Sequence, residues 1–325
     1  MASSLYYFYK KKGMRTLLTA TAITLLLQTA VSPVAGIAFA APAANTKVTS
    51  ANSTAIYKSF QNMLYKKNGL PAADRYLESK ISQVTPYHAT LMVLQLENAR
   101  FKALTAITDR MLVPNVQDQM QKIYNWNNSF TQLMSRTKDT SLRSLLQQAR
   151  DSGYRLTMIE GYLYPIMNYA AFEKYTSYVN EDIKQYIRIM AVETSNIASE
   201  DGGLMIGYQD MLNRALNQER FLNDFPKSNR KNQVQMLMNQ YTLYTFYGLD
   251  NTPLFDYDTN VMVPNAQKGY KAVLQRNTSE DSAFLKKLNA FMDVVAESKF
   301  ERTEAVDQWL EQNVSRDEYL PEYGI

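Results

Sequence analysis

The sequence predicts an all-α protein, an irregular bundle of about ten helices with no β-sheet. Apolar residues recur every three or four positions along most of the chain from residue 53 onward, which is the spacing of one helix face. Proline, glycine and capping residues interrupt this spacing at intervals typical of short loops. We find no sustained alternation of β-branched residues bounded by hairpin turns, the pattern that predicts strands.

The first three helices are predicted in the N-terminal third of the chain. One apolar stripe covers 53–68 and a second covers 71–84. The third helix begins at Thr85 and Pro86, a side-chain cap followed by a proline at the first helical position, where its missing N–H costs nothing. Its apolar spacing continues to Leu112.

The middle of the chain is predicted to form three longer helices. The first follows Asn115, a capping residue, and its apolar positions continue to Met134. The second is capped by Asp139, and its apolar face continues to Ile159. The third starts at Asn180, where a side-chain cap is followed by two carboxylates that interact favourably with the positive end of the helix dipole.

The C-terminal part of the chain is predicted to add further helices and one long loop. The stretch 248–264 shows no period and is rich in Asp, Asn and Pro, which favours a loop. The tail from residue 315 also shows no regular pattern. The predicted helices cover 206–225, 229–247, 266–276, 279–298 and 303–314.

The composition is that of a globular protein and excludes several kinds of site. Of the 325 residues, 46% are hydrophobic and 20% charged. The chain is cysteine-free, which excludes disulfides, thiolate metal sites and cysteine nucleophiles. It has a single histidine, His88, which excludes sites built from several histidines, and we expect no cofactor. We interpret His88 as a surface or partly buried residue of a capped helix rather than a general base.

The N-terminus has the layout of a secretory signal peptide. Residues 1–15 carry four basic side chains and no acidic one, and a mostly apolar run follows. Ala38 and Ala40 supply the small side chains that signal peptidase requires, so we predict cleavage after Ala40. The long basic leader is typical of Gram-positive export, and we expect a secreted or extracytoplasmic protein with no stable transmembrane segment after cleavage. The alternative is an uncleaved membrane anchor, although threonines dilute the apolar run.

Removal of the leader, residues 1–40, sets the domain plan and the charge. Residues 41–52 are small and polar, which predicts a flexible tether, and 53–325 is predicted to be a single helical domain. Two lobes, divided near 200–203 or 248–264, are the alternative. The full chain has 35 Lys and Arg against 31 Asp and Glu; four basic residues lie in the leader, so the mature chain is balanced at 31 of each. We therefore expect no nucleic-acid partner, because nucleic-acid binding needs a basic field.

One stretch combines a glutamate with a glycine pair that follows it. Residues 190–196 read Met-Ala-Val-Glu-Thr-Ser-Asn, and Gly-Gly-Leu-Met-Ile follows at 202–206. The pair resembles the signature of lytic transglycosylases and goose-type lysozymes, in which a helix ends in Glu-Ser and a Gly-Leu-Met-Gln segment follows. The resemblance implies a peptidoglycan-cleaving enzyme with Glu193 as general acid, which needs an apolar pocket to hold its proton. Thr194, Ile206 and a shorter interval depart from the pattern, and a solvated carboxylate at a helix end is the alternative.

A second motif has the spacing of the first three ligands in a calcium loop, in which alternate oxygen-bearing side chains converge on one cation. These residues are Asp256, Asp258 and Asn260. Such a loop also needs Gly at its sixth position and Glu at its twelfth, where this chain has Val261 and Gln267. The sequence therefore predicts at most a weak calcium site, with a turn rich in Asp and Asn as the alternative.

Tyrosine is concentrated in the segment that begins at residue 162. A tyrosine ring can stack on a ligand while its hydroxyl forms hydrogen bonds, so a cluster can line a groove for a glycan or an extended peptide. The alternative is that tyrosines at helical spacing pack in the core. The predicted binding residues are Tyr162, Tyr164, Tyr169, Tyr175 and Tyr178.

The remaining motifs exclude several functions but do not identify one. Leu-Pro-Glu-Tyr-Gly at 320–324 imitates a sortase sorting motif, but only Ile325 follows, so we expect no covalent wall anchor. The sequence contains no phosphate-binding loop, dinucleotide fingerprint or hydrolase motif. We predict a non-enzymatic exported helical protein that binds an envelope component or a protein partner. The wall-cleaving enzyme centred on Glu193 is the alternative, and a small-molecule carrier is a third interpretation.

Overall fold

The computed structural model describes residues 49–279 and 281–319 and confirms the all-α prediction. Within these residues the chain divides into two compact units, an N-terminal unit that ends at Thr194 and a C-terminal unit that begins at Ser195. The predicted leader and most of the predicted tether lie outside the described residues, and the first helix begins at Ser50. None of the described helices combines the length and the apolar composition that a membrane span requires.

The N-terminal unit is mainly helical, and its first two helices pack against its longest one, α3. Phe60, Leu77 and Met92, one from each of these helices, are fully buried. Short 3₁₀ helices cover Ile81–Gln83 and Tyr169–Tyr175. The α-helices are α1 (Ser50–Leu64), α2 (Leu70–Lys80), α3 (Pro86–Met111), α4 (Pro114–Ile123), α5 (Phe130–Arg136), α6 (Thr140–Asp151) and α7 (Glu181–Ser195).

Side-chain caps mark the starts of several of these helices, but α4 begins at Pro114 after Val113 without one, so the predicted cap at Asn115 is wrong. As predicted, the Thr85 side chain accepts the N–H of His88 at the start of α3, and the Asp139 carboxylate caps α6. The continuous helix predicted through Met134 is wrong in its middle, because the chain forms a turn at 124–129 between α4 and α5. Ser129 then starts α5 with a capping box.

A β-hairpin replaces the second half of the helix predicted to reach Ile159. Strands β1 (Tyr154–Ile159) and β2 (Tyr162–Met167) pair antiparallel, with Leu156 opposite Pro165. Glu160 and Gly161 between them both have positive φ, 49° and 80°, the geometry of a two-residue turn whose twist suits a hairpin. The expectation of no β-sheet is therefore wrong here. The turn joins two short apolar runs without β-branched alternation, so the sequence lacks the pattern that predicts strands.

The outer edge of β2 is covered by α4 rather than left open for another strand. The Gln117 side chain donates to the Leu163 carbonyl at 2.9 Å and accepts the Leu163 N–H at 3.0 Å. Alternate residues of a strand turn their backbone groups to the same side, so Pro165, which has no N–H, faces this edge too. The hairpin is thus fixed to the helices on one side.

The C-terminal unit is also helical and is built around an aromatic core. Phe246, Phe291 and Trp309 lie with ring centroids 5.4 to 6.0 Å apart. Two short hairpins, β3 (Ser199–Glu200) with β4 (Gly203–Leu204) and β5 (Gly248–Leu249) with β6 (Thr252–Pro253), are further departures from the predicted absence of strands. Its helices are α8 (Tyr208–Asp224), α9 (Lys231–Tyr247), α10 (Pro264–Arg276), α11 (Ala283–Glu297), α12 (Glu304–Asn313) and the one-turn α13 (Arg316–Tyr319).

Candidate functional site

The five tyrosines predicted to line a groove do not form one surface. Tyr162 and Tyr164 lie on the same face of β2, opposite Ile159 and Thr157 of β1. The Tyr162 side chain is 52% exposed, whereas Tyr164 is half-buried and its pKa is raised by that burial. Tyr178 is also half-buried. Of the predicted set, Tyr162 is the ring most available to a ligand.

Tyr169 and Tyr175 are core residues, which corrects their assignment to a groove. Each is 1% exposed. The Tyr169 hydroxyl donates to the Glu97 carboxylate, and the Tyr175 hydroxyl donates to Asp74 at 3.1 Å. Burial, reinforced by the neighbouring carboxylate, raises the pKa of both phenols well above 10. Their polar groups therefore hold the fold together and are not presented to solvent.

The carboxylate of Glu97 is the centre of a buried polar cluster. Glu97 is 2% exposed and accepts hydrogen bonds from Tyr169 and from Tyr186, the latter at 2.6 Å. The two phenol oxygens are 3.1 Å apart. A few residues along α3, the guanidinium of Arg100 bonds Asp74 at 2.6 Å. Buried polar groups need such partners, and this cluster joins α2, α3 and α7 with the 3₁₀ helix at Tyr169–Tyr175.

His88 is held by a buried serine that the sequence did not reveal as its partner. Ser53 Oγ lies 2.7 Å from His88 Nδ1 and accepts the N–H of Thr85 at 3.0 Å. The hydroxyl of Thr85 lies 3.2 Å from the same ring nitrogen, so two hydroxyl groups surround Nδ1. Ser53 is fully buried. The pair therefore links α1 to the start of α3 and does not present a nucleophile to solvent.

Protonation of His88 is expected to destabilise the protein as pH falls. Burial lowers the pKa of His88 from its ordinary value of 6.5, so the unfolded chain takes up a proton at a higher pH than the folded protein does. The contribution of neutral His88 to the free energy of unfolding is therefore fully present above pH 6.5. It is lost as pH falls from 6.5 toward the folded pKa. Between pH 8 and pH 5, the melting temperature should fall less in His88→Gln than in the unchanged protein. Equal falls in the two proteins would contradict this interpretation.

Glu193 and the glycine segment of the wall-enzyme motif lie in different units. Glu193 is half-buried near the end of α7 in the N-terminal unit. Gly202 and Gly203 lie in the C-terminal unit, where Asp201 and Gly202, with φ of 45° and 69°, form the turn between β3 and β4. Turn geometry therefore accounts for Gly202. The assignment of Glu193 as a general acid stays a prediction.

The calcium motif forms a tight turn. One carboxylate oxygen of Asp256 accepts the N–H of Asp258 at 3.1 Å and both the N–H and the hydroxyl of Thr259 at 2.9 Å. These bonds, chiefly the one from the Thr259 N–H, lower the pKa of Asp256. Asn260 has a φ of 55°, which a turn residue of this type tolerates. Residues 49–279 and 281–319 contain no cluster of three or more His, Cys, Asp or Glu that could hold a metal ion.

The most exposed large hydrophobic side chain among the described residues lies within the stretch predicted as a helix from Asn115 to Met134. Trp126 is 81% exposed, in the turn between α4 and α5. Hydrogen bonds within this turn fix its backbone: Asn128 N donates to Asn125 O at 3.0 Å, and Asn125 N donates to Asn128 Oδ1 at 2.9 Å. The guanidinium of Arg136 also bonds Asn128 Oδ1, and it bonds the Ile123 carbonyl at 2.9 Å. The indole is thus displayed on an ordered turn.

The same end of α4 carries the tip of the β-hairpin. Gln121, in the last turn of α4, donates to the carbonyl of Gly161 at 2.8 Å. Tyr162 follows Gly161 directly, while Tyr124 and Trp126 follow the end of α4. We call Tyr124, Trp126 and Tyr162 the aromatic end of the N-terminal unit. The run of asparagines around Trp126 was the signal that could have separated this turn from a helix.

The aromatic end is formed by the turn at 124–129, the tip of the hairpin and the C-terminal end of α4. No protein-family model, curated protein or solved structure matches this chain.

Proposed function

We propose that this protein is a non-enzymatic binding module of the cell envelope, exported from the cytoplasm, which holds an envelope component through its aromatic end. The observation that carries the proposal is Trp126, 81% exposed on a turn that hydrogen bonds hold in place. The predicted leader supports a location outside the cytoplasm, and the balanced charge of the predicted mature chain argues against nucleic acid as the partner.

An exposed tryptophan contributes little to folding and much to binding. A tryptophan buries on the order of 200 Å² when it is covered, and at roughly 25 cal/mol per Å² this corresponds to about 5 kcal/mol as an upper bound. Because Trp126 is mostly uncovered, the fold does not use this area. Tryptophan is also among the residues that dominate binding energy at interfaces. A turn that is already ordered spares the ligand the entropy of ordering it.

Tyr162 is the second exposed ring of the aromatic end. Tyr162 is half-exposed at the hairpin tip, and the bond from Gln121 to Gly161 ties that tip to α4. The hydroxyl of an exposed tyrosine can donate and accept hydrogen bonds. Rings on two separately anchored turns suit an extended ligand better than a compact one.

Co-sedimentation with isolated Gram-positive cell walls tests this proposal. We expect the purified protein to sediment with the walls, and Trp126→Ala to weaken the binding by about tenfold or more. Tyr257→Ala is the matched control, because Tyr257 is 71% exposed but lies in the C-terminal unit. Equal melting temperatures would show that all three proteins are folded.

Three outcomes would overturn the proposal. The unchanged protein could fail to sediment, or Trp126→Ala could bind as tightly as the unchanged protein. The third outcome is dissolution of the walls during the incubation, with loss of this activity in Glu193→Gln, which would favour the enzymatic alternative.

A further inference from the structure

We infer that the ligand of the aromatic end is an uncharged carbohydrate chain, with the indole of Trp126 stacked on a sugar ring. This inference rests on the proposed function and names the class of ligand for the same site. A pyranose ring presents C–H groups on its faces, which pack on an aromatic ring, and hydroxyl groups around its rim, which need hydrogen-bond partners.

The side chains beside Trp126 have the chemistry that such a rim requires. Asn125, Asn127 and Ser129 are exposed on the same turn. Amide and hydroxyl groups both donate and accept hydrogen bonds, as sugar hydroxyls do. Asn128 is the buried exception, because its side chain is used to form the turn. The turn therefore surrounds one flat aromatic ring with neutral polar groups.

Charge near the turn does not favour an anionic polymer. The closest basic residues along the chain are Lys122 and Arg136, and Glu160 lies at the hairpin tip. The guanidinium of Arg136 is already bonded to Ile123 O and Asn128 Oδ1, where it supports the turn. This is not the cluster of basic groups by which proteins hold phosphate-rich chains.

The same surroundings do not favour a lipid surface. Membrane-surface segments combine a broad apolar face with a basic polar face. Trp126 instead stands between two exposed asparagines, Asn125 and Asn127, and no basic residue lies within three positions of it in the sequence. A neutral glycan matches both the aromatic ring and its polar neighbours.

The chain allows Trp126 to be observed alone. It contains two tryptophans, Trp126 and Trp309. Trp309 packs against Phe246 and Phe291 in the C-terminal unit, so Trp309→Phe keeps an aromatic ring in that core. The emission of this variant then reports on the 81% exposed indole, which should emit as a solvated tryptophan.

Titration with oligomers of N-acetylglucosamine tests the inference. We expect the emission of the Trp309→Phe protein to shift to shorter wavelength and to saturate, with longer oligomers binding more tightly than the monosaccharide. Tyr162→Ala in the same background should lose most of this dependence on length, because the second ring is gone. If Trp309→Phe lowers the melting temperature, calorimetric titration of the unchanged protein with the same oligomers gives the binding constant instead.

Two other probes decide between ligand classes. Vesicles of anionic phospholipid and inorganic polyphosphate should leave the emission of Trp126 unchanged. A shift with either of these, or no saturable binding of the oligomers by fluorescence and calorimetry, would overturn the inference. If the protein still sediments with walls through Trp126 in that case, the proposed function stands and only the class of ligand is wrong.

Discussion

Gly153→Ala is expected to destabilise the N-terminal unit by about 4 kcal/mol or more. Gly153 has a φ of 85°, a left-handed conformation that costs a residue with a Cβ about 1 to 2 kcal/mol. A Cβ at this position would also overlap the guanidinium of Arg100. Arg100 is 2% exposed and paired with Asp74, so moving it would leave a buried charge without its partner, which typically costs about 3 kcal/mol or more.

Gly161→Ala separates these two contributions. Gly161 has a similar φ of 80°, but a Cβ built there meets no atom within 4 Å. Its substitution should therefore cost only the conformational part, about 1 to 2 kcal/mol. Urea unfolding followed by circular dichroism measures both variants against the unchanged protein. Equal losses of stability would show that the close approach of Arg100 to Gly153 is not important to the fold.

The second large effect is expected at Glu97. Glu97→Ala removes the acceptor of two buried phenols and leaves a cavity, and each unsatisfied buried donor costs about 1 to 3 kcal/mol. We expect a total loss of about 4 kcal/mol. Glu97→Gln keeps a carbonyl oxygen in the same place, so its loss should be nearer about 1 kcal/mol. Similar urea midpoints for the two variants would mean that the hydroxyls of Tyr169 and Tyr186 do not depend on this acceptor.

The helices were predictable because their signals are local. Thr85 followed by Pro86, and Asp139 before an apolar stripe, specify helix starts through side-chain caps, and the structure confirms both. The hairpin at 154–167 was not predictable in the same way. Its strands contain Leu, Met and Pro rather than alternating β-branched residues, and short apolar runs of this kind fit a helix or a strand equally well.

The candidate site was only partly predictable for a different reason. Tyr162 and Tyr169 look alike in sequence, but one lies at a hairpin tip and the other bonds Glu97, 72 positions away along the chain. Such a pairing is a property of tertiary packing. Trp126 falls inside a predicted helix because the apolar spacing continues on both sides of it. The asparagines on both sides of Trp126 favour a turn, but the bond from Arg136 to Asn128 that supports this turn joins residues eight positions apart and is not part of that local signal.

Hydroxyl-radical footprinting of the wall-bound protein, read by mass spectrometry, tests the central claim most directly. It compares the oxidation rate of Trp126 in the free protein with that in protein bound to Gram-positive walls, with Tyr257 as the exposed internal reference. The account predicts that Trp126 becomes several-fold protected on binding while Tyr257 reacts at an unchanged rate. Oxidation of Trp126 at the same rate in free and sedimented protein would contradict it.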